Sequence, residues 1–90
     1  MGNIGANGSQ RDYGDGTTQN FPSYTSPRKT TIHIRNISNN DICVSIQAQG
    51  NAHSDNYKIE KGQDLHEERD YGGVFVDVTI NNGRATVWSN

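Results

Sequence analysis

Cysteine is almost missing from this 90-residue chain. Cys43 stands alone, so no internal disulfide can form and no cysteine-based zinc site can be built. A basic excess is missing too: eight Lys and Arg against ten Asp and Glu leave a formal charge of −2. That balance lacks the phosphate-neutralising footprint of a nucleic-acid binder, and no nucleic acid partner is expected. No run of apolar residues approaches the roughly 18 needed for a membrane span. The N-terminus has neither the charged nor the apolar region of a secretory leader, which leaves extracellular, virion-surface and cytoplasmic locations open. Met1-Gly2-Asn3 opens like a myristoylation signal, but Ala6 stands where that signal needs Ser or Thr.

Catalytic patterns are absent in the same way. There is no G-x-S-x-G elbow for a nucleophilic serine, and Cys43 lacks an activating signature. Gly72-Gly73 precedes a strand pattern instead of opening a helix, so it is a turn and not a phosphate loop. His33, His53 and His66 fall on three different elements with no metal-ligand spacing. Asp12, Asp15 and Asn20 do not fit a calcium loop. Glu67 and Glu68 point to opposite sides of a strand and cannot act as paired acids. The expectation is a non-enzymatic protein without catalytic residues, cofactor or metal.

What is present is distributed unevenly. Residues 1–31 hold only Met1, Ile4, Ala6, Tyr13, Phe21 and Tyr24 as apolar or aromatic side chains, and residues 1–29 hold five of the ten glycines. Such a composition cannot bury enough surface to fold alone, so residues 1–29 are expected to form an extended Gly/Asn/Ser-rich arm and residues 30–90 the folded domain. A domain of about 60 residues buries only roughly 60% of the surface its unfolded chain exposes and is marginal without help. With no disulfide or metal, help means a partner or further copies of the chain. Tyr13, Phe21 and Tyr24 would then be the arm's contacts on neighbouring subunits.

From Thr31 the pattern changes to period two, the mark of half-buried strands. Ile32 and Ile34 alternate with His33 and Arg35, and Ser38-Asn39-Asn40-Asp41 supplies a turn. Ile42, Val44, Ile46 and Ala48 then share one side of a second strand. A third short strand carries Tyr57 and Ile59 inward, and Glu60 to Gln63 turns the chain. Asp64 to Arg69, with Leu65 its only apolar residue, suits a charged edge strand in which Arg69 can pair with Glu67. The strongest strand runs from Val74 to Ile80, and a sixth follows Asn82-Gly83, the pair favoured in a two-residue type I′ hairpin. Six strands with short connections predict an all-β fold, a small antiparallel sandwich with immunoglobulin-like or jelly-roll-like connections.

The hairpin reading pairs Ile80 with Ala85 and Val78 with Val87 on one face, and Thr79 with Thr86 and Asp77 with Trp88 on the other. It gathers Phe75, Asp77, Thr79, Arg84, Thr86 and Trp88 into one aromatic surface ringed by polar groups. Such a surface has two uses. Covered by the arm of another copy, it makes the protein a structural, self-assembling subunit of a fibre, shell or surface layer, a homo-oligomer or polymer; this is the leading expectation. Left open, it is a lectin-like platform on which a carbohydrate stacks against Trp88 while Asp77 and Arg84 bind its hydroxyls. Two glycosylation triplets, Asn7-Gly8-Ser9 and Asn36-Ile37-Ser38, are explained by chance in an Asn-rich chain, and the repeat of Arg11-Asp12-Tyr13-Gly14 in Arg69-Asp70-Tyr71-Gly72 is either coincidence between turn-rich segments or mimicry by the arm of that turn in a neighbour.

Overall fold

The computed structural model describes residues 11–90. Asn7-Gly8-Ser9, the Met1-Gly2-Asn3 signal and the first ten residues of the expected arm lie outside the described residues.

The described residues form eight strands: β1 (Arg11–Tyr13), β2 (Thr18–Phe21), β3 (Thr30–Asn36), β4 (Ile42–Ala48), β5 (Asp55–Ile59), β6 (Asp64–Arg69), β7 (Val76–Asn81) and β8 (Ala85–Ser89). They make two antiparallel four-stranded sheets, β1-β8-β3-β6 and β2-β7-β4-β5. Strict alternation in β3, β4, β7 and β8 turns Ile32, Ile34, Ile42, Val44, Ile46, Val78, Ile80 and Val87 to one side each, and all are at most 2% exposed. These side chains from both sheets meet in a single core, which gives the molecule its sandwich-like form. Each sheet needs its apolar side covered, and the other sheet is the cover.

Two expectations are corrected here. The first is the strand count and the extent of the arm. Residues 11–21 join the sheets of their own chain: Arg11 to Tyr13 pairs with Val87 to Ala85, and Thr18 to Phe21 pairs with Thr79 to Val76. Phe21 is buried in the core, and Tyr13 packs against it edge-on with ring centres 6.3 Å apart. Tyr24 lies under the Arg28 guanidinium at 3.8 Å. Each of the three aromatics assigned to neighbouring subunits thus has a partner within its own chain. β1 and β2 are short and polar because each is an edge strand, where only one or two inward positions require an apolar side chain.

The second correction concerns the last two strands. β7 and β8 belong to different sheets, so Asn82-Gly83 is an arch between sheets and not a hairpin turn. β7 pairs instead with β2 and β4, and β8 with β1 and β3. Asn82 takes the left-handed conformation (φ 71°), as its residue type allows. Gly83 is held by close approach: a Cβ there would lie 2.3 Å from the Ser38 hydroxyl oxygen and 2.8 Å from Cγ2 of Ile42. Of the seven connections only β4 to β5 joins neighbours in one sheet; the other six cross over.

Asn36 closes one end of the sandwich. It is 3% exposed, and its amide donates to the carbonyls of Asn40 (2.8 Å) and Ile59 (3.0 Å) while its Oδ1 accepts from the Ser38 N–H (2.8 Å). The buried, fully used amide removes Asn36 from glycosylation in the folded protein.

Candidate functional site

Because β7 and β8 lie in different sheets, their outer faces look in opposite directions, and the predicted aromatic surface divides. Thr86 and Trp88 lie on the outside of the first sheet, where the Thr86 hydroxyl donates to Asp12 Oδ1 (2.7 Å). Arg84 sits in the arch beside them, its guanidinium 4.0 Å from Asp12. Asp77 and Thr79 lie on the outside of the second sheet. Thr79 Oγ1 shares a hydrogen bond with Thr18 Oγ1 at 2.8 Å, and Asp77 accepts a long one from Gln49 (3.4 Å). Phe75 precedes β7 in a loop and is 49% exposed. Phe75 and Trp88 thus do not share one sheet face.

Trp88 is half-buried and already partnered. The ring of His33, directly opposite it on β3, stacks on it with centres 5.0 Å apart and planes 15° from parallel. Arg35 lies over the same ring at 5.6 Å while donating two hydrogen bonds to Asp64 (3.1 and 3.2 Å). That pairing lowers the Asp64 carboxyl below its ordinary range, through its hydrogen bond to Arg35 first. His66, opposite His33 on β6, completes a row across three strands.

A concave site forms elsewhere, where the β4–β5 loop meets the β6–β7 loop. The cleft holds about 490 Å³, within the usual range of about 300–1,000 Å³ for small-ligand sites. Ile46, Ala48 and Val74 give it apolar floor and wall; Gln49, Asn51 and His53 come from one loop, and Arg69, Asp70 and Tyr71 from the other side. The loops are tied together by the Gln49 N–H donating to the Phe75 carbonyl (2.9 Å). Residues of the expected arm brace the second loop: the hydroxyls of Ser23 and Ser26 donate to the Val74 carbonyl and to Asp70 Oδ1, each at 2.6 Å.

One wall of the cleft is an inward polar cluster between edge strands β5 and β6. Arg69 donates to Asp55, to Glu67 (3.0 Å) and to the Tyr57 hydroxyl, and that hydroxyl donates to Glu67 (2.7 Å). The Glu67 to Arg69 pair expected from the sequence is therefore present, within a larger network. Burial, then the bond to Glu67, pushes the Tyr57 phenol up to about 12. Hydrogen bonding to Asp55 raises the Arg69 pKa further, so its charge is fixed. Tyr71 is 8% exposed, and burial pushes it up to about 12 as well. Its hydroxyl has no hydrogen-bond partner among the described residues, an uncommon state for a buried polar atom.

Sequence reasoning passed over this site. One signal was there: on β6 the inward positions after Leu65 are Glu67 and Arg69, charges where the alternation calls for core. Inward charges at one end of a strand mark where a core opens onto something polar. Among the described residues no group of three or more His, Cys, Asp or Glu side chains is arranged to hold a metal ion, and no helix is long and apolar enough to cross a membrane.

No curated protein and no solved structure matches the chain. Residues 14–88, which span β2 through β7 and all of β8 but its last residue, match the model of a family of unknown function (DUF8244), and the protein belongs to that family.

Proposed function

We propose that the protein is a non-enzymatic binding module of jelly-roll type that takes a hydroxyl-rich ligand, a carbohydrate by chemistry, in the cleft between the β4–β5 and β6–β7 loops. The sheet order, with six of seven connections crossing between sheets, is the arrangement of a double Greek key in eight strands. The observation that carries the reading is the lining of the cleft, where a fixed Arg69 cation stands beside the Asp55 and Asp70 carboxylates and the buried Tyr71 ring. Amides at Gln49 and Asn51 and the His53 ring line the opposite loop. Donors and acceptors of both signs around a small apolar floor suit a neutral polyol better than an anion or a lipid.

The test is an NMR titration of the full chain with a panel of neutral mono- and oligosaccharides. Shifts confined to residues 49–55 and 69–74, weakened at least several-fold by His53→Ala, are expected. An unresponsive spectrum across the panel, or shifts centred on Trp88, would sink the cleft assignment.

A second reading, self-assembly, rests on Val74 and Phe75, 38% and 49% exposed on the cleft rim. Two adjacent exposed apolar side chains are a small patch, and a homo-oligomer is the partner it suits. Mass in solution decides it: a higher-order species reduced to monomer by Phe75→Ser supports assembly, and a monomer in the parent protein removes it.

A further inference from the structure

The cleft between the β4–β5 and β6–β7 loops is unevenly charged. Of the side chains that line it, Asp55 and Asp70 are acidic, and Arg69 and His53 are basic. Arg69 is already committed, since its guanidinium donates to Asp55 and to Glu67 (3.0 Å). Three carboxylates therefore surround one fixed cation, and Asp70 is the one that this cation does not serve. Resting on the carbohydrate reading of the cleft, we infer that its preferred ligand is an amino sugar, a polyol bearing a protonated primary amine, and that Asp70 is the residue that selects it.

The bonding of Asp70 carries this. Its Oδ1 is taken, accepting from the Ser26 hydroxyl (2.6 Å) and from the Gly72 N–H (2.9 Å). Those two bonds come from separate segments and fix the carboxylate at the start of the β6–β7 loop. Among the described residues nothing donates to its Oδ2, and no Lys, Arg or His stands within ion-pairing distance. Asp70 is exposed, so the uncompensated charge is within reach of a ligand. A cleft with an excess of one sign draws in the opposite charge. The chemistry then narrows the cation. The carboxylates are not grouped as metal ligands, whereas an ammonium needs a single free oxygen and forms a charge-assisted hydrogen bond with it. A guanidinium presents a planar fork that is best met by two oxygens side by side, and Asp70 has one to give. The rest of the lining is uncharged: the amides of Gln49 and Asn51 on the facing loop, above Ile46, Ala48 and Val74. Those groups suit the hydroxyls and the ring of a sugar, and Asp70 suits an amine upon it.

The test titrates the full chain, followed by NMR, with glucose, galactose and mannose, each in its neutral, amino and N-acetylamino form. At least one amino sugar should bind about threefold or more tighter than its neutral and N-acetyl counterparts, the scale of a solvent-exposed ion pair. The gap should close as salt is raised, because screening weakens such a pair. Asp70→Asn keeps an oxygen for Ser26 and Gly72 to donate to but removes the charge, and should shrink the gap to less than about twofold. Glu60→Gln removes the same charge from the β5–β6 turn, at the far end of β5 from the cleft, and should leave the gap as it is. Neutral sugars bound with no preference for the amine, or a preference that survives Asp70→Asn, would overturn the inference and leave the cleft reading standing. No binding by any of the sugars would remove the cleft reading and the inference with it.

Discussion

Replacing Gly83 by alanine tests the arch between β7 and β8 directly. The added Cβ would lie 2.3 Å from Ser38 Oγ, 2.8 Å from Ile42 Cγ2 and 3.0 Å from Ser38 Cβ. Ile42 is fully buried and has nowhere to go. Ser38 can rotate away, but its hydroxyl donates to the Arg84 carbonyl (3.1 Å) and accepts from the Arg84 N–H, so rotation gives up the bonds that tie the β3–β4 turn to the arch. Overpacking costs about 1–3 kcal/mol and the lost hydrogen bonding about 1 more, for a total of about 2–4 kcal/mol. A domain of this size is stable by roughly 4–13 kcal/mol, and each kcal/mol moves the midpoint by about 4–8 °C. Thermal and urea unfolding of Gly83→Ala should therefore show a midpoint lower by on the order of 10–20 °C. Combining it with Ser38→Ala removes the shortest contact, so the double variant should lose less than the sum of the single losses, with a coupling of at least about 0.5 kcal/mol. In a two-residue hairpin the same glycine would face solvent, and alanine would not meet Ser38 at all. A Gly83→Ala protein within about 0.5 kcal/mol of the parent, with no coupling to Ser38, would refute the crossing of β7 and β8 between sheets.

Three further outcomes follow from the packing. Phe21→Ala should cost about 3–5 kcal/mol in chemical denaturation, and a chain lacking residues 1–29 should fail to fold, because β1 and β2 cover the edges of β8 and β7. A folded truncated chain would restore the independent arm. Asn36→Ala strands the buried Ile59 carbonyl and should cost about 1–3 kcal/mol in the same measurement. Tyr57 and Tyr71, both pushed up to about 12, are protonated in the folded protein at a pH where the unfolded chain has begun to ionise near 10. Their contribution is therefore complete below pH 10 and is lost as pH rises through 12. Stability should fall over that window, and Tyr57→Phe and Tyr71→Phe should each remove part of the tyrosinate absorbance that develops late; ionisation of both at pH 10 would contradict the burial.

The sheet faces were legible because alternation is local. Ile32 and Ile34, Ile42 to Ile46, Val76 to Ile80 and Ala85 to Val87 declare a buried side by period alone, and four of the eight strands follow from that; β5 and β6 follow from Tyr57, Ile59 and Leu65 with the turns around them. β1 and β2 were not legible: an edge strand of three or four residues asks for one apolar side chain, and Tyr13 and Phe21, isolated among polar residues, have the same appearance in a loop. The partner of each strand was not legible either. Two strands whose apolar sides meet can be neighbours in one sheet or opposed across a core, and Ile80 with Ala85 satisfies both. An Asn-Gly pair fits a tight hairpin and an arch equally, so nothing local chose between them.

The functional candidates follow the same division. The exposed Phe75 and the polar outer positions are properties of residues one at a time, and the sequence determined them. The splitting of Phe75 from Trp88, the stacking of His33 on Trp88, the meeting of His33 with His66, and the cleft between residues 49–55 and 69–74 all join segments far apart in the chain. They exist because two sheets close over one core and carry their strands across it, and that closure is set by long-range burial of surface, which no local pattern encodes.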